Sequence, residues 1–214
     1  MVVTEVRILL VRHGETDWNR EGRLQGWGPT PLNERGREQA RRLGAVLETE
    51  YDIDRIVSSD SFRTRETTEN IRNAGIFPEP TFDPSWRERG LGLYQGFTRE
   101  ELNERFPAFA MDSGALSLEE SPEGGETVSG VYDRVVAAWE ELAQNTADET
   151  VLVVTHGGPV RIVLAHLTSV DILSAIETYE VPNCGLTEIT LPGREILRES
   201  DRLFEPVPPR ETDG

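Results

Sequence analysis

Lysine is absent from this chain: all 22 basic residues are arginine, set against 39 aspartates and glutamates, for a formal net charge of −17. A surface of that sign repels nucleic acid and anionic membranes, so neither is expected as a partner. Two readings fit the missing lysine. The saline cytosol of an extreme halophile would screen the repulsion among the carboxylates, because the Debye length falls to about 3 Å at molar salt. Arginine-biased codon usage would give the same composition without any adaptation to salt. Cysteine is nearly as scarce. Cys184 stands alone, which excludes an intramolecular disulfide and a cysteine-based metal cluster and suits a reducing compartment; its expected role is packing in a strand. The three histidines show no HExxH or other compact ligand spacing, so neither a metal site nor any other cofactor is expected. Long apolar runs are missing as well. Nothing approaches a membrane span, and the short run near the start lies behind Glu5 and Arg7 with no small-residue cleavage site. A soluble, cytoplasmic protein is expected, with self-association left open.

What is present is one local design used twice. The run Ile8-Leu9-Leu10-Val11 leads into Arg12-His13-Gly14, and Val151 to Thr155 leads into His156-Gly157-Gly158. Two apolar strands each deliver a histidine to a glycine turn. A single such histidine would read as an imidazole satisfying a strand end. Two of the three in equivalent places read as halves of one site, because open parallel sheets bind ligands beyond the carboxyl ends of their strands, where glycine lets backbone approach closely.

The rest of the chain alternates strands with helices. Asn33 can cap a helix from about Glu34 to Thr49, Asp54 to Ser58 reads as a short buried strand, and Asp60 or Ser61 opens a helix that stops near Gly75, with Arg63 in its first turn. Residues 78–125 have poor periodicity and several prolines and glycines, with a short helical stretch near Arg99 to Phe106; they read as a lid-like excursion over the site. An amphipathic helix follows from Glu126 to about Asn145, Pro159 suits the first turn of the next one, and His166 within it is assigned to packing or surface. Strands are expected at Gly185 to Leu191 and Glu195 to Arg198. This order predicts a three-layer α/β/α fold with a mainly parallel sheet. No linker, repeat or composition break divides it, so one domain is expected over residues 1–206, ahead of an acidic tail at 207–214.

Read in full, Leu10-Val11-Arg12-His13-Gly14-Glu15-Thr16-Asp17-Trp18-Asn19 resembles the signature of the histidine phosphatase superfamily, the phosphoglycerate mutase-like proteins. Further blocks resemble that family in its order: Leu24-Gln25-Gly26, Ser58 to Thr64, Glu88-Arg89 with Gly92 and Gln95-Gly96, Gly125-Glu126-Thr127 and Thr155 to Gly158. The resemblance covers roughly residues 6 to 190 and implies the same fold, with a small phosphorylated substrate. Phosphoryl transfer needs fixed donors for the equatorial oxygens, an in-line nucleophile and an acid for the departing oxygen. His13 is the expected nucleophile, forming a phosphohistidine; Arg12 and Arg63 can hold phosphate oxygens in a fork, and His156 would be a further donor. By resemblance, Asn19, Gln25 and the backbone of Gly157 belong to the phosphate site, and Glu88 is the general acid and base. Glu15 and Glu126 read as supporting or helix-start residues.

The expected activity is that of a phosphomonoesterase on small phosphorylated metabolites, of the histidine acid phosphatase type. A cofactor-dependent phosphoglycerate mutase uses the same core. Gln95-Gly96 resembles the mutase block, whereas Gln25 and Gly158 are phosphatase-like, mutases usually having a small hydroxyl residue and an asparagine there. The mutase lid also carries a basic insertion, and residues 100–125 contain only Arg105 amid many acids. Pro29 replaces an aspartate common in the family's loop. A third reading, a silent member that binds phosphorylated ligands, would be signalled by loss of His13, Glu88 or an arginine, and all are present.

Overall fold

A computed structural model describes residues 6–106 and 121–204 of the chain. The expected acidic tail and the middle of the expected lid lie outside the described residues. Along the chain come β1 (Val6–Arg12), α1 (Asp17–Arg20), α2 (Glu34–Glu50), β2 (Arg55–Ser58), α3 (Phe62–Arg72), β3 (Pro80–Phe82) and α4 (Arg99–Arg105). They are followed by α5 (Val128–Gln144), β4 (Thr150–Thr155), α6 (Gly157–Thr168), α7 (Ile172–Thr178), β5 (Leu186–Leu191) and β6 (Glu195–Asp201).

The two apolar runs become the centre of the sheet. Strands with both faces covered read as continuous apolar segments, and Ile8 to Val11 in β1 and Val151 to Val154 in β4 are fully buried. The six strands lie in the order β3-β2-β4-β1-β5-β6. The first four are parallel; β5 and β6 continue the sheet antiparallel. Side chains alternate between two cores, as a pleated strand requires. Ile8, Leu10, Val151 and Val153 pack with Val135 and Trp139 of α5 and Val163 of α6. Leu9, Val11, Leu152 and Val154 pack on the other face with Leu43 and Leu47 of α2 and Ile71 of α3. The fold is therefore three layers around a mixed, mainly parallel sheet. Burying each such aliphatic side chain stabilises the fold by roughly 1.5–3 kcal/mol.

Asn33 caps α2 as expected, its side chain accepting from the Gly36 N–H. Other details differ from what the sequence suggests. The 78–125 stretch, expected to be an irregular excursion, contributes an edge strand, β3. Helix α5 begins after Glu126, with Thr127 as its cap. Cys184 is not in a strand. It occupies the turn before β5 in the left-handed conformation (φ 54°), where its N–H donates to the Arg12 carbonyl at 3.0 Å, and burial pushes its thiol up to about 12. His166 pairs at the surface of α6 with Glu140 at 2.8 Å. Among the described residues no single helix is long and apolar enough to cross a membrane.

Candidate active site

Strand register builds the site. Arg12 of β1 lies opposite Thr155 of β4, and the His13 N–H donates to the Thr155 carbonyl at 2.9 Å. The next residue on each strand is a histidine, so His13 and His156 leave the sheet together, ring centroids 5.3 Å apart and edge to face. One strand further, the Ser59 N–H donates to the Val154 carbonyl at 2.9 Å, which puts Ser59 Oγ 2.9 Å from His156 Nε2. Gly14 can be nothing larger, since a Cβ there would stand 2.5 Å from the Gly36 carbonyl oxygen at the start of α2.

His13 Nδ1 lies 2.8 Å from the Gly14 carbonyl. A carbonyl only accepts, so that network assigns the proton to Nδ1 and the lone pair to Nε2. Burial, then the charges of Arg63 and Arg12, hold the His13 pKa well below its ordinary value. His156 is held low by burial and then chiefly by Arg63. Both rings are neutral at neutral pH.

The guanidinium groups are fixed by backbone. Arg63 donates through Nη2 to the Gly26 carbonyl at 2.8 Å and through Nη1 to Gly28 at 3.3 Å. Arg12 donates through Nη1 to the Val181 carbonyl at 2.6 Å. Burial lowers both to about 10, opposed by the charge of Glu88. Nε of Arg12, Nε of Arg63 and Nδ1 of His156 are buried without a partner. Unsatisfied buried polar atoms are uncommon in a folded protein, and two of these, the Nε groups of Arg12 and Arg63, belong to residues that line one cavity and suit an anion. Asn19 Oδ1 accepts from the Thr16 N–H and from Asn183 Nδ2, which leaves its own amide N–H groups for the cavity. Gln25 Oε1 accepts from Thr30 Oγ1 at 2.7 Å, with the same consequence.

A cavity of about 300 Å³ is lined by Arg12, His13, Asn19, Gln25, Arg63 and Glu88 among others. Six of the eight residues expected from the sequence therefore share one wall. His156 and Gly157 stand behind it, the first against the His13 ring, the second near the Arg12 side chain. Glu88 accepts from the Gly158 N–H at 3.0 Å and from the Arg89 N–H at 3.0 Å. A Cβ on Gly158 would come within 2.1 Å of Glu88 Oε1. Among the described residues no three His, Cys, Asp or Glu side chains come together as a metal-ligand set.

Several residues of the site escape sequence reasoning. Arg134 donates to the carbonyls of Ser85 and Arg87 at 2.9 and 3.1 Å and to both Glu126 oxygens at 3.1 and 2.8 Å. Glu126 in turn accepts from the Gly90 N–H at 2.8 Å, so the segment carrying Glu88 is clamped. Asn183 donates to the His13 carbonyl at 3.0 Å. Arg89 and Arg161 line the cavity. Arg134 had one visible signal: it is the only basic residue of α5 and adjoins the buried Val131 and Val135.

The family model described as "Histidine phosphatase superfamily (branch 1)" matches residues 8–199. Phosphoglycerate mutase-like protein 4 of Arabidopsis thaliana is 37% identical over 163 residues, covering 74% of this chain and 70% of that protein. Phosphoserine phosphatase 1 of Hydrogenobacter thermophilus is 34% identical over 189 residues, covering 88% of each. The solved structure of Bacillus stearothermophilus YhfR superposes with a TM-score of 0.80 at 33% identity, over 89% of this chain and 94% of that one.

Proposed function

Because the chain belongs to the histidine phosphatase superfamily, whose enzymes here are phosphatases or mutase-like proteins, we propose that it is a phosphomonoesterase working through a phosphohistidine. The observation that carries this reading is one cavity holding a neutral histidine with a free ring nitrogen, two arginines whose buried Nε groups are unpartnered, and a carboxylate. His13 Nε2 attacks phosphorus while Nδ1–H stays on the Gly14 carbonyl, which stabilises the ring as it becomes cationic. Arg12 and Arg63 meet the equatorial oxygens, joined by Asn19 and Gln25 and by the N–H of Gly157 at the start of α6. His156 brings its unpartnered Nδ1 as a further donor. Glu88 protonates the departing alcohol, then takes a proton from the water that hydrolyses the phosphohistidine.

Two details favour transfer to water over a mutase. Gln95 Oε1 accepts the Trp27 N–H at 2.6 Å, so its amide serves the loop. An asparagine at position 158 would displace the Glu88 carboxylate, given the 2.1 Å approach of a bare Cβ. The mutase reading keeps the names of several relatives, phosphoglycerate mutase-like protein 4 and probable phosphoglycerate mutases among them, and the Gln95-Gly96 block. Hydrolysis of p-nitrophenyl phosphate, with an acid-labile, base-stable phosphoenzyme trapped in the parent and absent from His13→Ala, is the expected result. Near-parental turnover by His13→Ala would overturn the covalent route, and no turnover at all would leave the binding-protein reading.

A further inference from the structure

The phosphate cage uses only part of the cavity. Val128 and Val131 at the start of α5, Ile162 of α6, and Ile172 and Ile176 of α7 wall the same space with branched carbon. Arg161 of α6 also lines it. Its Nε donates to the Tyr179 carbonyl at 2.8 Å, which fixes the plane of the guanidinium between α6 and the residue that closes α7. It forms no ion pair among the described residues; burial lowers its pKa, opposed by the charges of Glu88 and Glu180. Its Nη1 group comes within 3.0 Å of the place a Gly157 Cβ would fill, which sets that end of the fork close to the start of α6. Glu88 is the only acid among the described lining residues, against five arginines, and besides His13 the only uncharged polar side chains there are Asn19 and Gln25.

Such a lining selects chemically. Branched aliphatic residues gain from burying carbon and offer nothing to a row of sugar hydroxyls, which would lose hydrogen bonds to water on entry. A fixed guanidinium edge matches a carboxylate in a way an ammonium group cannot use. We propose that Arg161 and this branched wall form a leaving-group subsite, and that the substrate is a phosphomonoester whose alcohol combines an apolar carbon face with a carboxylate. The assignment rests on the phosphomonoesterase reading and adds to it the identity of the alcohol.

Three probes share a ring and a phosphate and differ in distal charge: phenyl phosphate, 4-(carboxymethyl)phenyl phosphate and 4-(aminomethyl)phenyl phosphate. The expected order of kcat/KM is carboxymethyl above phenyl above aminomethyl, with the first ratio about tenfold, the size of one modest charge-assisted contact. Arg161→Gln should bring that ratio close to one, and Arg161→Lys should keep part of it. The Tyr179 carbonyl loses its donor in Arg161→Gln, so melting curves accompany the kinetics, and the parent and Arg161→Lys decide the matter where the glutamine variant does not fold. A parent ratio near one, or a ratio that survives Arg161→Gln in folded protein, overturns the subsite. Calorimetric binding of phenylphosphonate and its 4-carboxymethyl derivative separates the two claims. Failure to hydrolyse any probe sinks the phosphomonoesterase reading, whereas equal affinity for the two phosphonates sinks the subsite alone.

Discussion

Two buried neutral histidines tie stability to pH. His13 and His156 have folded-state pKa values well below the ordinary 6.5, so the unfolded chain takes up two protons near that pH that the folded chain refuses. Stability is complete above the unfolded value and is lost as pH falls below it, towards the lower folded values, with a slope approaching about 1.4 kcal/mol per pH unit for each ring. Melting temperature should therefore fall between about pH 7.5 and 5, and His156→Asn should shallow that dependence. A flat profile in the parent would mean that the rings are not held neutral. The same shifts should move the acid limb of kcat/KM below 6.5, because His13, the proposed nucleophile, keeps its lone pair there. In the proposed mechanism Glu88 acts on the other side of the reaction. Glu88→Gln should slow turnover by about 10²- to 10⁴-fold for poor leaving groups and less for activated aryl phosphates, the usual range of general acid–base catalysis. Equal damage across a leaving-group series would assign Glu88 to positioning.

The elements matter to the site through what they hold still. Arg134, in the second turn of α5, gathers the carbonyls of Ser85 and Arg87 and the Glu126 carboxylate, so the loop bearing Glu88 depends on a side chain that stands outside the phosphate cage. Arg134→Ala leaves Glu126 with the Gly90 N–H but without its guanidinium and should destabilise by about 2 kcal/mol, the scale of a lost hydrogen bond to a charged group. Melting temperature should drop by roughly 4–8 °C for a chain of this size, with a fall in kcat. An unchanged kcat in the folded variant would show that the clamp serves stability alone. Gly158→Ala tests the opposite case. Its Cβ meets the end of a flexible side chain, Glu88 Oε1 at 2.1 Å, so the fold should tolerate it while the carboxylate shifts and kcat falls roughly 10²-fold, the usual effect of a misplacement near 1 Å. Retained activity would show that Glu88 finds an equivalent position.

The contrast with the sequence has a physical cause at this scale. Residues delivered by backbone at a strand exit, His13 and His156, are legible because an apolar run ending in His-Gly fixes their place. Glu88 and Asn19 required the resemblance, as nothing local separates one glutamate from the rest of the 39 acids. Arg161 and Asn183 act through partners distant in sequence, so no window of residues contains their signal, and Arg134 shows only its solitary charge on α5. β3 escaped because three residues beginning at a proline carry no period, and α7 because its pattern continues that of α6 past Ser169, whose left-handed turn (φ 58°) breaks them apart.

At the scale of the whole molecule the acidic, lysine-free surface meets a site that must bind an anion. Many surface arginines are already engaged: Arg41 and Arg42 both reach Glu38 in α2, and Arg194 reaches Glu140. Exposed pairs of this kind contribute little and weaken in salt. More important is the surplus of carboxylates behind the −17 net charge, whose mutual repulsion is long-ranged in dilute buffer and collapses as the Debye length shortens to about 3 Å near molar salt. Melting temperature should therefore climb as potassium chloride rises into the molar range. Substrate must still bind there. Arg63 is buried, Arg12 is half-buried, and both are fixed to backbone carbonyls beside the proposed phosphate site; short forked contacts from groups so placed are screened far less than charges in open water. The Michaelis constant should rise only modestly over the same salt range. A protein most stable in dilute buffer would leave codon usage as the account of the missing lysine. A Michaelis constant that rises in proportion to salt would mean that phosphate is gathered mainly by exposed charge and not by Arg12 and Arg63.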